Sequence, residues 1–271
     1  MPSPLLSSEP TASAFELTAV ALRFPGAERA VLEDLSLDVR KTEFLSIVGP
    51  SGCGKSTLLK LLAGLLAPTN GSVIRRGDPG ATDRIGFVFQ YPTLLPWRTA
   101  AGNLRLPLEL GRMKPRTQLS VGECHELLKQ VGLSVSDAQK RPSELSGGMQ
   151  MRLSLARALA TQPEVLLLDE PFAAVDDMLR LRLQEDVCRL HGVHRLTTIL
   201  VTHNLQEAVF LSDRVVVLGG APSRVIQTIS CSTPHERNAE YRQSSEFFEI
   251  LRNVSAVVFG APRVIQEESH A

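Results

Sequence analysis

Neither sign of charge prevails in this chain. Its 271 residues carry 29 Lys+Arg against 29 Asp+Glu. The overall basic footprint of a nucleic-acid binder is therefore missing, and nucleic acid is not an expected partner. Long apolar runs are missing too. The best, Leu58 to Ala67, is interrupted by Lys60 and falls short of the ~18 residues that read as a membrane span. Membrane association is then expected to go through a partner. Cysteine is sparse: four residues, at 53, 124, 188 and 231, none in C-x-x-C spacing. Neither a zinc site nor a redox motif is indicated, and reduced thiols are expected. Met1 to Ala12 is rich in Ser and Pro without a basic start before an apolar stretch. It does not read as a secretory signal, and residues 1–13 are expected to form a disordered tail.

What is present suffices for a substantial core, at 43% hydrophobic residues. Ala14–Phe24 and Val31–Arg40 read as strands around a turn at Pro25-Gly26, and Phe44–Val48 as a short apolar strand. A helix follows over Lys55–Leu66, ended by Pro68 and the Asn70-Gly71 turn. Ser72–Arg76 and Ile85–Phe89 are further strand candidates. From about 91 to 160 the pattern turns helical, over Leu104–Met113, Glu123–Val131 and Met149–Ala160. Strands and helices then alternate: Val165–Leu168, Met178–Leu190, Thr197–Val201, Leu205–Leu211, Arg214–Leu218. Such alternation predicts a mostly parallel sheet covered by helices. Gly220–Gln227 echoes Gly260–Gln266, too briefly to be a structural repeat.

Gly49-Pro50-Ser51-Gly52-Cys53-Gly54-Lys55-Ser56-Thr57 fits the phosphate-loop pattern. After a strand, its glycines permit a sharp turn that presents backbone N–H groups to an anion, and the following helix points its positive end there. Lys55 supplies charge to the β/γ-phosphates of a nucleotide, and the Ser56 hydroxyl is a ligand for Mg²⁺. Asp169 and Glu170 end the apolar run Val165–Leu168. Adjacent strand residues point in opposite directions, so the two carboxylates can serve two tasks. Asp169 would orient Mg²⁺, mostly through its water shell, and Glu170 would act as general base on water. Leu145-Ser146-Gly147-Gly148-Met149-Gln150 precedes a helix. Gly147 and Gly148 would leave that helix N-terminus sterically open, and Ser146 adds a hydroxyl donor, making a second anion site.

Those three motifs, in that order, resemble the ATP-binding subunit of an ATP-binding-cassette (ABC) transporter. The resemblance covers roughly residues 14–230. It implies an α/β P-loop NTPase with a mostly parallel sheet core, an antiparallel β portion and a helical subdomain at about 91–160, leaving 231–271 as a C-terminal extension. It implies ATP and Mg²⁺ as ligands. It also implies that Ser146, Gly147, Gly148 and Gln150 meet the ATP of a second copy, in a head-to-tail dimer that sandwiches two nucleotides. By the same resemblance Gln90 reaches the metal and the attacking water, and His203 touches the γ-phosphate. Phe24 stacks on adenine, where a core Phe is the competing reading, and Asp176 belongs to a loop crossing the dimer interface. Departures from the family pattern are Ala173, Val175, Asn204 and Met151.

Leu94-Leu95-Pro96-Trp97-Arg98-Thr99, Asn103–Leu110, Asp169-Glu170-Pro171-Phe172 and Glu207–Arg214 resemble importers of nitrate, sulfonates and taurine. The expected protein is therefore an ATP hydrolase on the cytoplasmic side of the plasma membrane. Its expected partners are an integral membrane permease and an extracytoplasmic substrate-binding protein. The alternatives are the ATPase of an exporter or lipid-extracting complex, and a soluble non-transport ABC ATPase. Cys53, beside a helix N-terminus and two residues from Lys55, is expected to be the reactive cysteine.

Overall fold

A computed structural model describes residues 12–76, 85–110, 119–173, 175–231 and 237–260. In chain order they form β1 (Ser13–Leu22), β2 (Leu32–Arg40), β3 (Phe44–Val48), α1 (Lys55–Leu62), β4 (Asn70–Arg75) and β5 (Ile85–Val88). Helices α2 (Ala100–Leu110), α3 (Val121–Gln130) and α4 (Gly147–Leu159) follow. Then come β6 (Val165–Asp169), α5 (Asp177–His194), β7 (Thr197–Val201), α6 (Leu205–Leu211), β8 (Arg214–Gly219) and β9 (Arg224–Ser230). Two helices close the described chain, α7 (Ala239–Arg242) and α8 (Ser245–Gly260).

The strands divide into two sheets. One is antiparallel, in the order β2-β1-β4. The other has six strands in the order β5-β6-β7-β3-β8-β9, parallel throughout except for β9, which runs antiparallel to β8. Strands β3, β6 and β7 are buried at every residue, as expected for a parallel sheet covered on both faces. Alternate side chains of each strand enter different cores. Phe44, Leu166, Leu168, Leu200, Val215 and Val217 pack with α2–α6 and α8. Leu45, Ile47, Val165, Leu167, Ile199, Val201 and Val216 pack with α1 and the antiparallel sheet. The α/β fold expected from strand–helix alternation is the fold observed.

Several boundaries differ from expectation for identifiable reasons. Helix α1 ends at Leu62, not Leu66. Gly64 takes a left-handed φ of 70°, and the N–H groups of Leu65 and Leu66 turn back to the Lys60 carbonyl, a glycine-terminated C-end that stops the helix before Pro68 is reached. Helix α3 begins two residues before Glu123 because Ser120 and Glu123 form a reciprocal capping box. Helix α4 begins at Gly147, capped by Ser146, so the paired glycines are its first turn and do not precede it. Strand β9 was not expected, and α5 runs to His194, where Arg195 adopts a left-handed conformation. Ala12 and Ser13 belong to the ordered sheet: the Ala12 carbonyl accepts from Lys41 N, and β1 starts at Ser13. The remainder of the expected tail, residues 1–11, and residues 261–266 of the Gly260–Gln266 echo lie outside the described residues. Every regular element described between 91 and 160 is helical.

Candidate active site

Parallel neighbours bring the loops after β3, β5, β6 and β7 to one edge of the sheet. Val88 pairs with Leu168, Asp169 with Val201, and Ile47 with Val201. The phosphate loop, Gln90, Asp169-Glu170 and His203 all follow those carboxyl ends, the place where open α/β sheets bind ligands.

The phosphate loop runs from Gly49 to the first turn of α1. Gly49 is there for lack of space: a Cβ would stand 2.5 Å from the Leu218 carbonyl oxygen and 3.0 Å from Cys53 Sγ. Gly54 is the N-cap of α1 at φ 96°, in the left-handed region that favours glycine, and a Cβ would meet Val31 at 2.8 Å. Pro50, Ser51 and Gly52 are exposed, whereas Cys53, Gly54, Ser56 and Thr57 are half-buried. Lys55 is buried, and its Nζ donates to the carbonyls of Gly49 and Pro50, both at 2.9 Å. Its charge thus sits inside the loop, beside the α1 N-terminus.

The two carboxylates part at the end of β6: Asp169 is its last residue, and Glu170 lies beyond it. Asp169 is buried, and its Oδ1 accepts from Ser56 Oγ at 2.7 Å. Burial pushes its carboxyl above the ordinary range; the Ser56 hydroxyl pulls it back, Glu170 raises it, and Lys60 and Lys55 lower it. Ser56 and Asp169 are hard oxygen donors held against each other. That suits Mg²⁺, which is bound through one or two carboxylates with phosphate and water completing its shell. No group of three His, Cys, Asp or Glu side chains suited to a metal occurs among the described residues. Glu170 takes φ 45°, uncommon for a residue with a side chain. Its N–H donates to the Val201 carbonyl at 2.9 Å, and its Oε2 lies 3.1 Å from His203 Nδ1. A carboxylate and an imidazole are thereby held together beside the Ser56–Asp169 pair, with His203 exposed.

Gln90 is exposed. The segment after it is fixed by a residue that sequence reasoning missed. Arg157 of α4 donates to the carbonyls of Pro92 and Thr93 and to the Thr93 hydroxyl at 2.8–3.0 Å. The sequence carried no signal for it: at helical spacing its neighbours are Leu153, Ser154, Ala160 and Thr161, a mixed face. Phe24 is 41% exposed, beyond the end of β1 and outside both apolar cores. The core reading of that ring fails; a flat apolar face open to a ligand remains.

The glycines of the Leu145–Gln150 segment are not equivalent. Ser146 Oγ accepts from Met149 N at 3.3 Å and caps α4. Ser146 and Gly147 are exposed, and a Cβ on Gly147 would meet nothing within 4 Å. Gly148 is buried, and a Cβ there would overlap the Leu179 side chain. Only Gly147 leaves the helix N-terminus open; Gly148 makes room for α5. Gln150 faces inward, donating from Nε2 to the carbonyls of Pro142 and Leu145 at 2.9 and 3.1 Å. It braces the loop before α4. Asp176 is exposed and caps α5 by accepting from Leu179 N at 3.1 Å.

The departures noted in the sequence are structurally mild. Asn204 Oδ1 accepts from Gln206 N and Glu207 N, an N-cap task that Asn and Asp perform equally. Met151 and Val175 are buried in the helical-side core.

A family model described as ABC transporter matches residues 32–173. The aliphatic sulfonates import ATP-binding protein SsuB 1 of Xanthomonas axonopodis pv. citri is 41% identical over 237 residues, covering 87% of this chain and 92% of that protein. The bicarbonate transport ATP-binding protein CmpD of Synechocystis sp. is 39% identical over 247 residues, covering 88% and 86%. Among solved structures, the dimeric ATP-binding cassette MJ0796, in a post-hydrolysis state bound to ADP and Pi, superposes with a TM-score of 0.69 at 32% identity, covering 81% of this chain and all of that one. With the phosphate loop, the Ser56–Asp169 pair and the Glu170–His203 pair on one sheet edge, this chain belongs to the ABC transporter family, as an ATP-binding and ATP-hydrolysing cassette subunit.

Proposed function

We propose that two copies of this chain, head to tail, energise an importer of a small oxyanion, a sulfonate, nitrate, taurine or a related compound such as bicarbonate. Each copy is the peripheral ATPase on the cytoplasmic face of a membrane permease, with a substrate-binding protein outside. Among the described residues no helix is long and apolar enough to cross a membrane. Residues 14–230 form the cassette in this reading, about 91–160 its helical part and 231–271 an extension. The sulfonate and bicarbonate relatives support the oxyanion class, and the dimeric neighbour supports pairing.

The phosphate-loop N–H groups and Lys55 hold the β/γ-phosphates, and Phe24 takes the adenine. Ser56, Asp169 and Gln90 would hold Mg²⁺, which neutralises charge developing on the phosphates when bound. Glu170 accepts a proton from the attacking water, and His203, paired to it, faces the γ-phosphate. Ser146 and Gly147 of the other copy close over that phosphate with the α4 N-terminus, and Asp176 lies at the junction. The observation that carries the reading is the Glu170–His203 pair at 3.1 Å beside the Ser56–Asp169 pair at 2.7 Å.

Glu170→Gln tests it. Gln keeps the shape and loses the basicity, so turnover should fall by ~10²–10⁴-fold while ATP still binds and an ATP-held dimer accumulates. Turnover within a few-fold of the parent, measured by phosphate release, would remove Glu170 from the role of base. Deleting the gene should abolish growth on one such oxyanion as sole sulfur, nitrogen or carbon source, and unchanged uptake across that panel rejects the cargo class.

A further inference from the structure

The loops that carry His203 and Asp176 leave different strands, yet one buried carboxylate is bonded towards both. Glu207, on α6, is 5% exposed. Its Oε2 accepts from Thr202 Oγ1 at 2.7 Å. The same hydroxyl accepts from Asn204 N at 3.0 Å, closing the turn on which His203 stands. The other oxygen, Oε1, forms an ion pair with Arg180 Nε at 3.7 Å. Arg180, on the first turn of α5, spends its donors, that same Nε included, on the segment around Asp176. Nη2 donates to the Val175 carbonyl at 2.9 Å, Nη1 to Asp177 Oδ1 at 2.9 Å and Nε to the Phe172 carbonyl at 3.4 Å.

A third branch reaches the C-terminal segment. Gln184, almost wholly buried on α5, lies beside the Glu207 carboxyl and accepts from Arg242 Nη2 at 2.7 Å. Arg242 closes α7, and its guanidinium lies 3.3 Å from the centre of the Phe210 ring on α6. Arg237 anchors the start of the segment, donating to the Leu211 carbonyl and pairing with Asp213 at 2.5 Å. Two arginines from beyond residue 231 thus grip the helix that follows His203.

We propose that Glu207 is a positioning residue that sets the His203 loop against the Asp176 loop, and that Arg242, acting through Gln184, makes the C-terminal segment part of that setting. The proposal rests on the reading of His203 and Asp176 given above and assigns a task to residues 237–260. None of Glu207, Gln184 or Arg242 touches nucleotide in it; they act through the two loops. Burial pushes the Glu207 carboxyl above its ordinary range, with the Thr202 hydroxyl, Arg180, His203 and Gln184 pulling it back. A carboxylate so buried depends on all its partners, and removing one disturbs the others.

The full-length chain carries the test, a double-mutant cycle on ATP turnover. Arg242→Met keeps the stem over Phe210 and removes the hydrogen bond to Gln184. Glu207→Gln keeps the shape and removes the ion pair. Each should lower kcat by roughly tenfold with KM for ATP within about twofold, since sub-ångström misplacement of reacting groups costs rate rather than affinity. The double variant should be no slower than the slower single, because both act along one path. A merely structural role predicts kcat losses that multiply and that track melting temperature. Multiplying losses, or an Arg242→Met enzyme with the parent kcat, overturns the proposal. Should Glu207→Gln not fold, Thr202→Val cuts the same bond from the other side and replaces it in the cycle. Glu170→Gln run alongside separates the failures. If it turns over normally, the catalytic reading fails; if it is inactive while the cycle is multiplicative, only the present inference fails.

Discussion

Gly147 and Gly148 are neighbours in one helical turn, and substituting each by Ala should produce opposite results. Neither has a positive φ, so Ala is conformationally acceptable at both. At Gly148 the new methyl overlaps Leu179, whose own N–H donates to Asp176 Oδ1 at 3.1 Å. Overpacking of this kind costs ~1–3 kcal/mol, while Gly→Ala in a helix returns up to ~1 kcal/mol. Gly148→Ala should therefore lose roughly 1–2 kcal/mol. For a chain of this size that lowers Tm by about 2–6 °C. At Gly147 a methyl meets nothing within 4 Å, so Gly147→Ala should match or exceed the parent in Tm. In the proposed dimer its cost appears only on pairing, where the methyl would stand between the α4 N–H groups and the partner's phosphate. Phosphate release should fall at least tenfold with monomer ATP affinity unchanged. Calorimetry and steady-state turnover on both variants decide the matter. Leu179→Ala combined with Gly148→Ala should be less destabilised than the sum of the two single changes. A fully active Gly147→Ala, or a Gly148→Ala as stable as the parent, would refute this division of labour.

Two further outcomes follow from buried groups. His191 packs on Phe44 at 5.2 Å and bonds Thr198 at 3.0 Å, and burial holds its pKa down to about 4 from 6.5. The unfolded chain therefore takes up the proton first. Stability should be full above pH ~6.5 and fall by up to about 3 kcal/mol as pH drops towards 4; His191→Gln should flatten that slope in acid titrations of Tm, and an unchanged slope would remove His191 from it. Among the cysteines, burial pushes Cys188 up to about 11, Cys231 up to about 12 and Cys124 upward, whereas Cys53 lies half-buried in the phosphate loop. A maleimide should modify Cys53 first and more slowly with Mg-ATP bound; peptide mapping that finds slow labelling, or no protection, puts the thiol inertly beneath the loop.

The sequence was most legible where chemistry dictates residue type. A phosphate needs N–H groups, glycine and a cation at fixed spacing, so Gly49–Thr57 could be read without a structure. Asp169 and Glu170 are separated as expected, one buried on Ser56 and the other on His203, but by the end of β6 and a left-handed Glu170 rather than by strand alternation. Legibility fell where a residue's task is defined by a distant segment. Gly148 reads like Gly147 until Leu179, 31 positions on, is seen beneath it. Arg157 reads as a surface cation until Pro92 and Thr93 are found in its grasp. Gln150, assigned to a partner's nucleotide by resemblance, spends its amide on Pro142 and Leu145. Strand β9 alternates only weakly, with Val225 and Ile229 half-buried on different cores and an exposed Ile226 between them, and its antiparallel pairing to β8 is set by the short Gly220–Ser223 turn rather than by a crossover helix.

The division between Asp169 and Glu170 also accounts for the backbone between them. Asp169 must stay on the strand to reach Ser56, so its oxygen lies under the phosphate loop and its charge is held in partial burial. Glu170 reaches the open side, where the exposed His203 stands. A regular strand would turn it away from the sheet edge altogether. The chain instead leaves the strand at Glu170 in a left-handed conformation while its N–H keeps the ladder bond to Val201. Such a conformation costs of order 1–3 kcal/mol and persists where the surroundings over-determine it. Here Val201 holds one side, and Phe172 is packed into the core just beyond. The strain places two carboxylates, one peptide apart, on different partners, Ser56 and His203, the separation that the proposed metal and base roles require.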